Sequence, residues 1–392
     1  MKYNFDKIID RKNTNSLKYD FPAEQGYPPD CLPLWVADMD FQTPPEVRKV
    51  LEKSARHGIF GYTSPKKDYF DAVQSWFLKR FGFKSKSEWI VTAPGIVFSI
   101  ATAIKAFTSA KNSVLIQTPV YYPFHSCVKI NNRKLVKNSL VFRNGKYIID
   151  FKDFEKKIID NKVKLFLLCS PHNPVGRVWT KNELIKMGKI CLKHNVIVVS
   201  DEIHCDFIFK GNKHTVFGTL GEKFLNNSII CTAPSKTFNL AGLQVSNIFI
   251  ADKEKRRKFE LEIQKTGYSQ LNTMGIASCQ NAYENGVRWV DELNEYLQNN
   301  LEYIRTFIKE NIPKIKLIEP EGTYLLWLDF DGLQITENKL KRLVAQEAKL
   351  HLSYGKGFGI EGKGFFRVNA ACPLSTIKKA FNRLKNAVNS FS

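Results

Sequence analysis

Segments with helical apolar spacing alternate with short, continuously apolar runs through the middle of the chain. In "GIVFSIATAIKAF" the apolar residues Ile96, Ile100, Ile104 and Phe107 recur every three or four positions, which predicts an amphipathic helix. "PPEVRKVLEKSARHG" and "DYFDAVQSWFLKRFG" predict two more, closed by Gly58 and Gly82. "TKNELIKMGKICLKHN" predicts another, opened by a capping box of Thr180 and Glu183. Between them lie "SVLIQ" (113–117), "VKLFLLCS" (163–170), "VIVVSD" (196–201), "SIICTA" (228–233) and "NIFIA" (247–251). These runs do not alternate apolar with polar. Strands buried on both faces read this way, so a mostly parallel sheet covered by helices on both sides is expected.

After about residue 285 the pattern changes. "RWVDELNEYLQNNLEYIRTFIKENI" predicts one long amphipathic helix, "TYLLWLDF" and "GFFRVNA" predict strands, and "STIKKAFNRLKNAV" predicts a last helix. The first 45 residues are irregular and turn-rich ("YPPD", "CLPLW", "QTPPE"). A larger α/β domain over 46–284 is therefore expected, with a smaller, discontinuous α/β domain formed by 1–45 and 285–392.

Composition narrows the class. Of 392 residues 43% are hydrophobic, including 29 Phe and 14 Tyr, so a large core is available. Lys and Arg number 59 against 38 Asp and Glu, a formal +21, which raises nucleic-acid binding as a question. The basic residues are dispersed, however, in runs such as "FEKKIID" and "DKEKRRKFE", interleaved with acids and apolar residues. They read as solvated faces that can steer anionic substrates; no nucleic-acid partner is expected. The eight cysteines include no CxxC pair, the opening "MKYNFDKIIDRKN" lacks a signal-peptide core, and no apolar run reaches 18 residues. A reduced, cytoplasmic chain without a membrane span is expected.

Ligands of open parallel sheets bind beyond the carboxyl ends of the strands. The first strand is followed by "TPVYYPF", with Tyr121 and Tyr122; the second by "SPHNPVG", with Asn173. The third ends in "SDEIH", with Asp201 and His204, and the fourth runs into "TAPSKTFNLAG", with Ser235 and Lys236. Upstream, "TAPGIVFS" places Gly95 and Ile96 at a helix start, whose free N–H groups suit a phosphate. Singly, each is weak: a lysine after a strand is usually a surface residue, a carboxylate at a strand end usually a cap, "NPVG" usually a turn. Together they put phenols, an amide, a carboxylate, an imidazole, a hydroxyl and an amine on one sheet edge.

The same segments, with "FFRVNAACP", resemble the pyridoxal-phosphate (PLP) enzymes of the aspartate aminotransferase fold, over essentially the whole chain. That fold has a large domain with a mostly parallel seven-stranded sheet and a smaller α/β domain. "LPLWVADMDF" (32–41) with "GYTSP" (61–65) is similar to the cystathionine β-lyase and C–S lyase branch, which includes cystalysin.

The resemblance implies roles residue by residue. Lys236 would carry PLP as a Schiff base and, once released, remove the substrate Cα proton. Asp201 would pair with the pyridine nitrogen, and Asn173 would hydrogen-bond the phenolic oxygen. His204 stands where many relatives place a tyrosine for that oxygen. Gly95, Ile96 and Ser235 would hold the phosphate, joined by Tyr62 from a second subunit. Tyr121 would stack on the ring and, with Lys236, could protonate the leaving sulfur. Arg367 would clamp the substrate carboxylate as a bidentate fork, with Ala37 and Tyr122 beside the substrate. No metal site is implied. Where aminotransferases commonly place a phosphate-binding arginine, eight residues after the lysine, this chain has Gln244. The lyase branch shares that departure.

The implied reaction is α,β-elimination on L-cystathionine, L-cysteine or S-substituted cysteines, giving pyruvate, ammonia and a thiol or hydrogen sulfide. The alternative is an aminotransferase, which shares the motifs at the strand exits. A homodimer is expected. Some relatives contact a transcriptional activator, but nothing in this chain marks such a surface.

Overall fold

The structure, a computed structural model, describes residues 2–390. Its centre is a seven-stranded sheet of β1 (Ile90–Ala93), β2 (Ser113–Thr118), β3 (Lys134–Ser139), β4 (Val163–Cys169), β5 (Ile197–Asp201), β6 (Ser228–Thr232) and β7 (Ser246–Phe249). The spatial order is β1-β7-β6-β5-β4-β2-β3. Neighbouring pairs from β6 through β3 are parallel, and β7 runs antiparallel to both β6 and β1.

The unbroken apolar character of the middle strands has a direct cause. Val114, Ile116, Leu165, Leu167 and Cys169 pack to one side with Ile96, Ile100 and Ile104 of the helix Ile96–Phe107 and with Phe259 of the helix Lys253–Gln264. The intervening Leu115, Phe166 and Leu168 pack to the other side with Phe154, Ile158, Leu184 and Met187. Both faces are dry, so neither set of alternating positions can be polar. β1 and β3 escape the apolar-run reading. β1 is only four residues long, and β3, at the sheet edge, alternates exposed and buried positions in "KLVKNS".

The predicted stops and caps are present. Gly58 and Gly82 close the helices Pro45–His57 and Lys67–Phe81 with φ of 72° and 66°, where a residue with a Cβ would be strained. Glu183 N–H donates to Thr180 Oγ1 at 3.2 Å and Thr180 N–H to Glu183 Oε2 at 2.8 Å, closing the capping box.

A second, antiparallel sheet contains β8 (Lys316–Ile318), β9 (Leu325–Asp329), β10 (Ser353–Tyr354) and β11 (Phe365–Asn369), in the order β8-β9-β11-β10. Leu326, Leu328, Phe366 and Val368 share a core with Leu301, Ile304 and Phe307 of the helix Val287–Asn311 and with Phe381 of the helix Leu374–Ser390. The first half of that long helix belongs elsewhere. Trp289, Val290 and Leu293 pack with Phe5, Phe41 and Trp76. The N-terminal stretch is also shared. Phe5 and Phe41 join the core around Trp76, while Leu32–Pro33 pairs in parallel with Leu350–His351 and Leu34 enters the small-sheet core.

Candidate active site

The exits of β6, β5, β4 and β2 lie side by side, and the side chains delivered there enclose a cavity of about 140 Å³. Gly95, Ile96, Tyr121, Asn173, Asp201, His204, Ser235, Lys236, Ala37 and Gln244 line it. Cys169, Ile203, Ala241 and Val245, among the rest of the wall, carried no signal in the sequence as site residues. Tyr122 is half exposed beside Tyr121, with ring centroids 5.1 Å apart. Tyr62 lies away from this cavity, 96% exposed, on an open cleft lined by Phe60–Thr63 and Ser269–Met274.

Lys236 sits in a single turn that follows β6, so its amine is held at the mouth of a buried strand. Nζ donates to the Ala37 carbonyl at 2.8 Å. Burial lowers its pKa to about 8. Arg367 pushes the same way, while Asp38 and Asp201 oppose. Asp201, at the end of β5, accepts one hydrogen bond from the Ile203 N–H at 3.2 Å. Burial raises its carboxyl to about 7, with Glu202 adding to the effect and the Ile203 N–H and Lys236 opposing it. His204 is buried, and burial, with Lys236 and Arg367 nearby, pushes its ring down to about 3. Its Nδ1 has no hydrogen-bond partner.

Arg367, central in β11, lies next to the cavity behind Asn173. Its Nη1 donates to Asn173 Oδ1 at 3.1 Å and its Nη2 to the Trp35 carbonyl at 2.7 Å and Ser353 Oγ at 3.3 Å. The Phe358 ring lies 4.9 Å from the guanidinium carbon. No carboxylate pairs with this buried cation among the described residues, and Nε has no partner. Burial pulls its pKa down to about 10, with Tyr121, Tyr122 and Tyr324 partly offsetting that pull. An unpaired buried charge costs several kcal/mol, which a bound anion would relieve.

The "WVADMD" motif has a mechanical explanation. Arg11 bridges Asp38 at 2.7 Å and Asp40 at 2.8 Å, and the buried Lys18 binds Asp40 at 2.9 Å. Asn369 Nδ2 donates to the carbonyls of Val36 and Asp38, both at 2.6 Å. Ala37, between them, is thereby fixed over Lys236.

These residues fit PLP. The amine, the buried carboxylate and the orphan imidazole nitrogen are groups that a ring bearing an aldehyde, a ring nitrogen and a phenolic oxygen would satisfy. The helix Ile96–Phe107 presents its first-turn N–H groups to the cavity rim. A Cβ at Gly95 would meet no protein atom within 4 Å, which leaves room for a phosphate against the backbone.

Residues 29–384 match the family model for aminotransferase class I and II, and the chain belongs to that family. The cystathionine β-lyase PatB of Bacillus subtilis is 42% identical over 98% of this chain and 100% of its own length. The protein MalY of Escherichia coli is 31% identical over 99% of both chains. Among solved structures, cystalysin of Treponema denticola, which contains a pyridoxal 5′-phosphate cofactor, is 38% identical. It superposes with a TM-score of 0.97 over 100% of both chains. Fold and cofactor follow: this is a PLP-dependent protein of the aminotransferase fold, with a mixed seven-stranded sheet.

Proposed function

We infer that the chain is a PLP-dependent carbon–sulfur lyase that carries out α,β-elimination on L-cysteine and its thioethers, L-cystathionine among them. The observation that carries this reading is an amine (Lys236), a buried carboxylate (Asp201) and an unpaired buried guanidinium (Arg367) gathered around one cavity, in a chain 42% identical to a cystathionine β-lyase.

Bound at Lys236, PLP supplies a carbonyl for amines and a ring that accepts the electron pair of the Cα–H bond. Asp201 would keep the ring nitrogen cationic, and Asn173 and His204 would serve the phenolic oxygen. Gly95, Ile96 and Ser235 would hold the phosphate, with Gln244 as a neutral neighbour in place of an arginine. Arg367 takes the substrate α-carboxylate as a fork, oriented by Asn173, Ser353 and the Trp35 carbonyl. Lys236 then faces the Cα–H bond. With a pKa near 8, about a tenth of such amines are unprotonated at pH 7, enough for a base that works at neutrality. The Tyr121 phenol is held neutral, chiefly by burial, and so remains a proton donor beside the departing sulfur. Ala37 and Tyr122 border the substrate. The net change consumes one water and yields pyruvate, ammonia and the thiol.

We also propose a homodimer in which Tyr62 reaches the phosphate of the partner's site. Tyr62, Ile59 and Phe60 form an exposed apolar run that a second copy would cover. The eight unpaired cysteines suit a reducing, cytoplasmic setting. Among the described residues, no helix is long and apolar enough to cross a membrane.

The test is purified protein with L-cysteine or L-cystathionine and no keto acid. Pyruvate and free thiol in equal amounts are expected. Turnover only when a keto-acid acceptor is added would replace the lyase reading with aminotransfer. For the dimer, mixing Tyr62→Ala with Lys236→Ala subunits should restore activity, because one site of each hybrid carries neither defect. No rescue in verified hybrids would place Tyr62 in its own subunit's site.

A further inference from the structure

Tyr324 immediately precedes β9, in a segment whose sequence reads only as a strand. It is 1% exposed. Its ring is packed edge-on against Phe207 at 4.8 Å and His204 at 5.6 Å. Its hydroxyl donates to the Ala37 carbonyl at 2.9 Å, the same oxygen that receives Lys236 Nζ at 2.8 Å. A carbonyl oxygen has two lone pairs, and here both are taken. The phenol comes from the start of β9 in the small sheet and the amine from the turn after β6 in the large sheet, and they meet on one atom.

We propose that Tyr324 is a positioning residue for the reaction: its hydroxyl fixes and partly occupies the Ala37 carbonyl against which the Lys236 amine rests, and so sets how firmly the lysine holds its proton. The inference rests on the reading of Lys236 as the proton carrier. The chemistry is that of a shared acceptor. A carbonyl stabilises an ammonium more than a neutral amine, because the charged donor makes the stronger hydrogen bond. A second donor on that oxygen draws on the same electron density and weakens the first bond. The phenol cannot ionise out of this role. Burial and then Asp38 hold it in its neutral, donating form, against a smaller pull from Arg367. The other charged or titratable groups facing Lys236 are Asp38 from the N-terminal segment, Asp201 at the end of β5, His204 just beyond it, and Arg367 from β11. None of them donates to the Ala37 carbonyl. Asn369 pins the two neighbouring carbonyls, so Ala37 cannot swing away to escape the competition.

The test is Tyr324→Phe in the full chain. In the PLP-free protein, the pH dependence of Lys236 acetylation by trace acetic anhydride, read by mass spectrometry, reports the amine's titration without any turnover. The variant's midpoint should rise by about half to one pH unit, so that labelling at pH 7.5 slows about three- to tenfold. In the loaded enzyme, kcat should fall by a similar factor with KM for L-cysteine held within twofold, and the acid limb of the kcat profile should move up in pH. Replacing Tyr324 by 3-fluorotyrosine, a near-isosteric and stronger donor, should move the labelling midpoint down, and it covers the case in which the phenylalanine variant does not fold. Phe207→Leu, which disturbs the packing around the ring but keeps the hydroxyl, should leave the midpoint in place. A Lys236 midpoint that stays put in Tyr324→Phe, or moves equally in Phe207→Leu, overturns the proposal. Failure of the underlying reading looks different: borohydride would fix PLP on another lysine in the unmodified protein.

Discussion

Asp201→Asn separates what the buried carboxylate does for PLP from what it costs the PLP-free chain. In the PLP-free fold, burial holds the Asp201 carboxyl near 7, against an ordinary value of 3.8. The gap of about three pH units corresponds to about 4 kcal/mol. The sign follows from where the proton is held more tightly, which is in the folded state. Below about pH 4 both states are protonated and nothing is lost. From about pH 4 to pH 7 the unfolded chain ionises first, so stability falls as pH rises, and above about pH 7 the whole penalty persists. Asparagine cannot ionise and carries no such slope. Urea unfolding of both PLP-free proteins at one protein concentration should therefore show the variant gaining on the parent by about 2–3 kcal/mol between pH 5 and pH 8. The lowered Lys236 pKa acts in the opposite direction, with its penalty present below about pH 8 and fading as pH rises further; losing the Asp201 charge, which opposes that lowering, deepens this smaller effect in the variant. Adding PLP should reverse the order, raising the parent's midpoint far more than the variant's, since a neutral amide does not hold a cationic ring. Parallel stability profiles for the two PLP-free proteins from pH 5 to pH 8 would show that Asp201 is not a strained carboxyl.

Arg367→Lys keeps the charge and loses the fork, so kcat/KM for L-cysteine should fall about 10- to 100-fold while the PLP absorbance is retained; an unchanged kcat/KM would remove Arg367 from the site. Gly176→Ala should lower the melting temperature by a few degrees, as about 1–3 kcal/mol of strain enters at a φ of +71° where the new Cβ would come within 2.9 Å of Pro320 Cβ. An unaltered melting curve would refute that account. Phe166→Ala, at a fully buried position in β4, should cost about 3–5 kcal/mol in urea unfolding without altering the PLP spectrum.

Much of the site is local, and so it is legible in the chain. A strand buried on both faces must be apolar throughout, and whatever follows it on the chain emerges at the sheet edge. For that reason Tyr121, Asn173, Asp201, Ser235 and Lys236 could be placed from the strand runs alone. The helix stops at Gly58 and Gly82 and the cap at Thr180 are likewise determined within a few residues. Other features depend on what lies alongside. β3 alternates because at the sheet's edge only one of its faces, that of Val136 and Asn138, is covered, and nothing in "KLVKNS" announces that it completes a sheet. Tyr324 meets Ala37 across 287 residues, and Arg367 meets the Trp35 carbonyl across 332. The two aspartates of "WVADMD" have partners only once Arg11 and Lys18 fold over them. Spacing along a chain encodes the faces of a helix or strand, because those repeat every few residues. Which face meets which is decided by packing the two sheets and the N-terminal segment together, and the protonation states of Lys236, Asp201 and Arg367 are set by the burial that this packing creates.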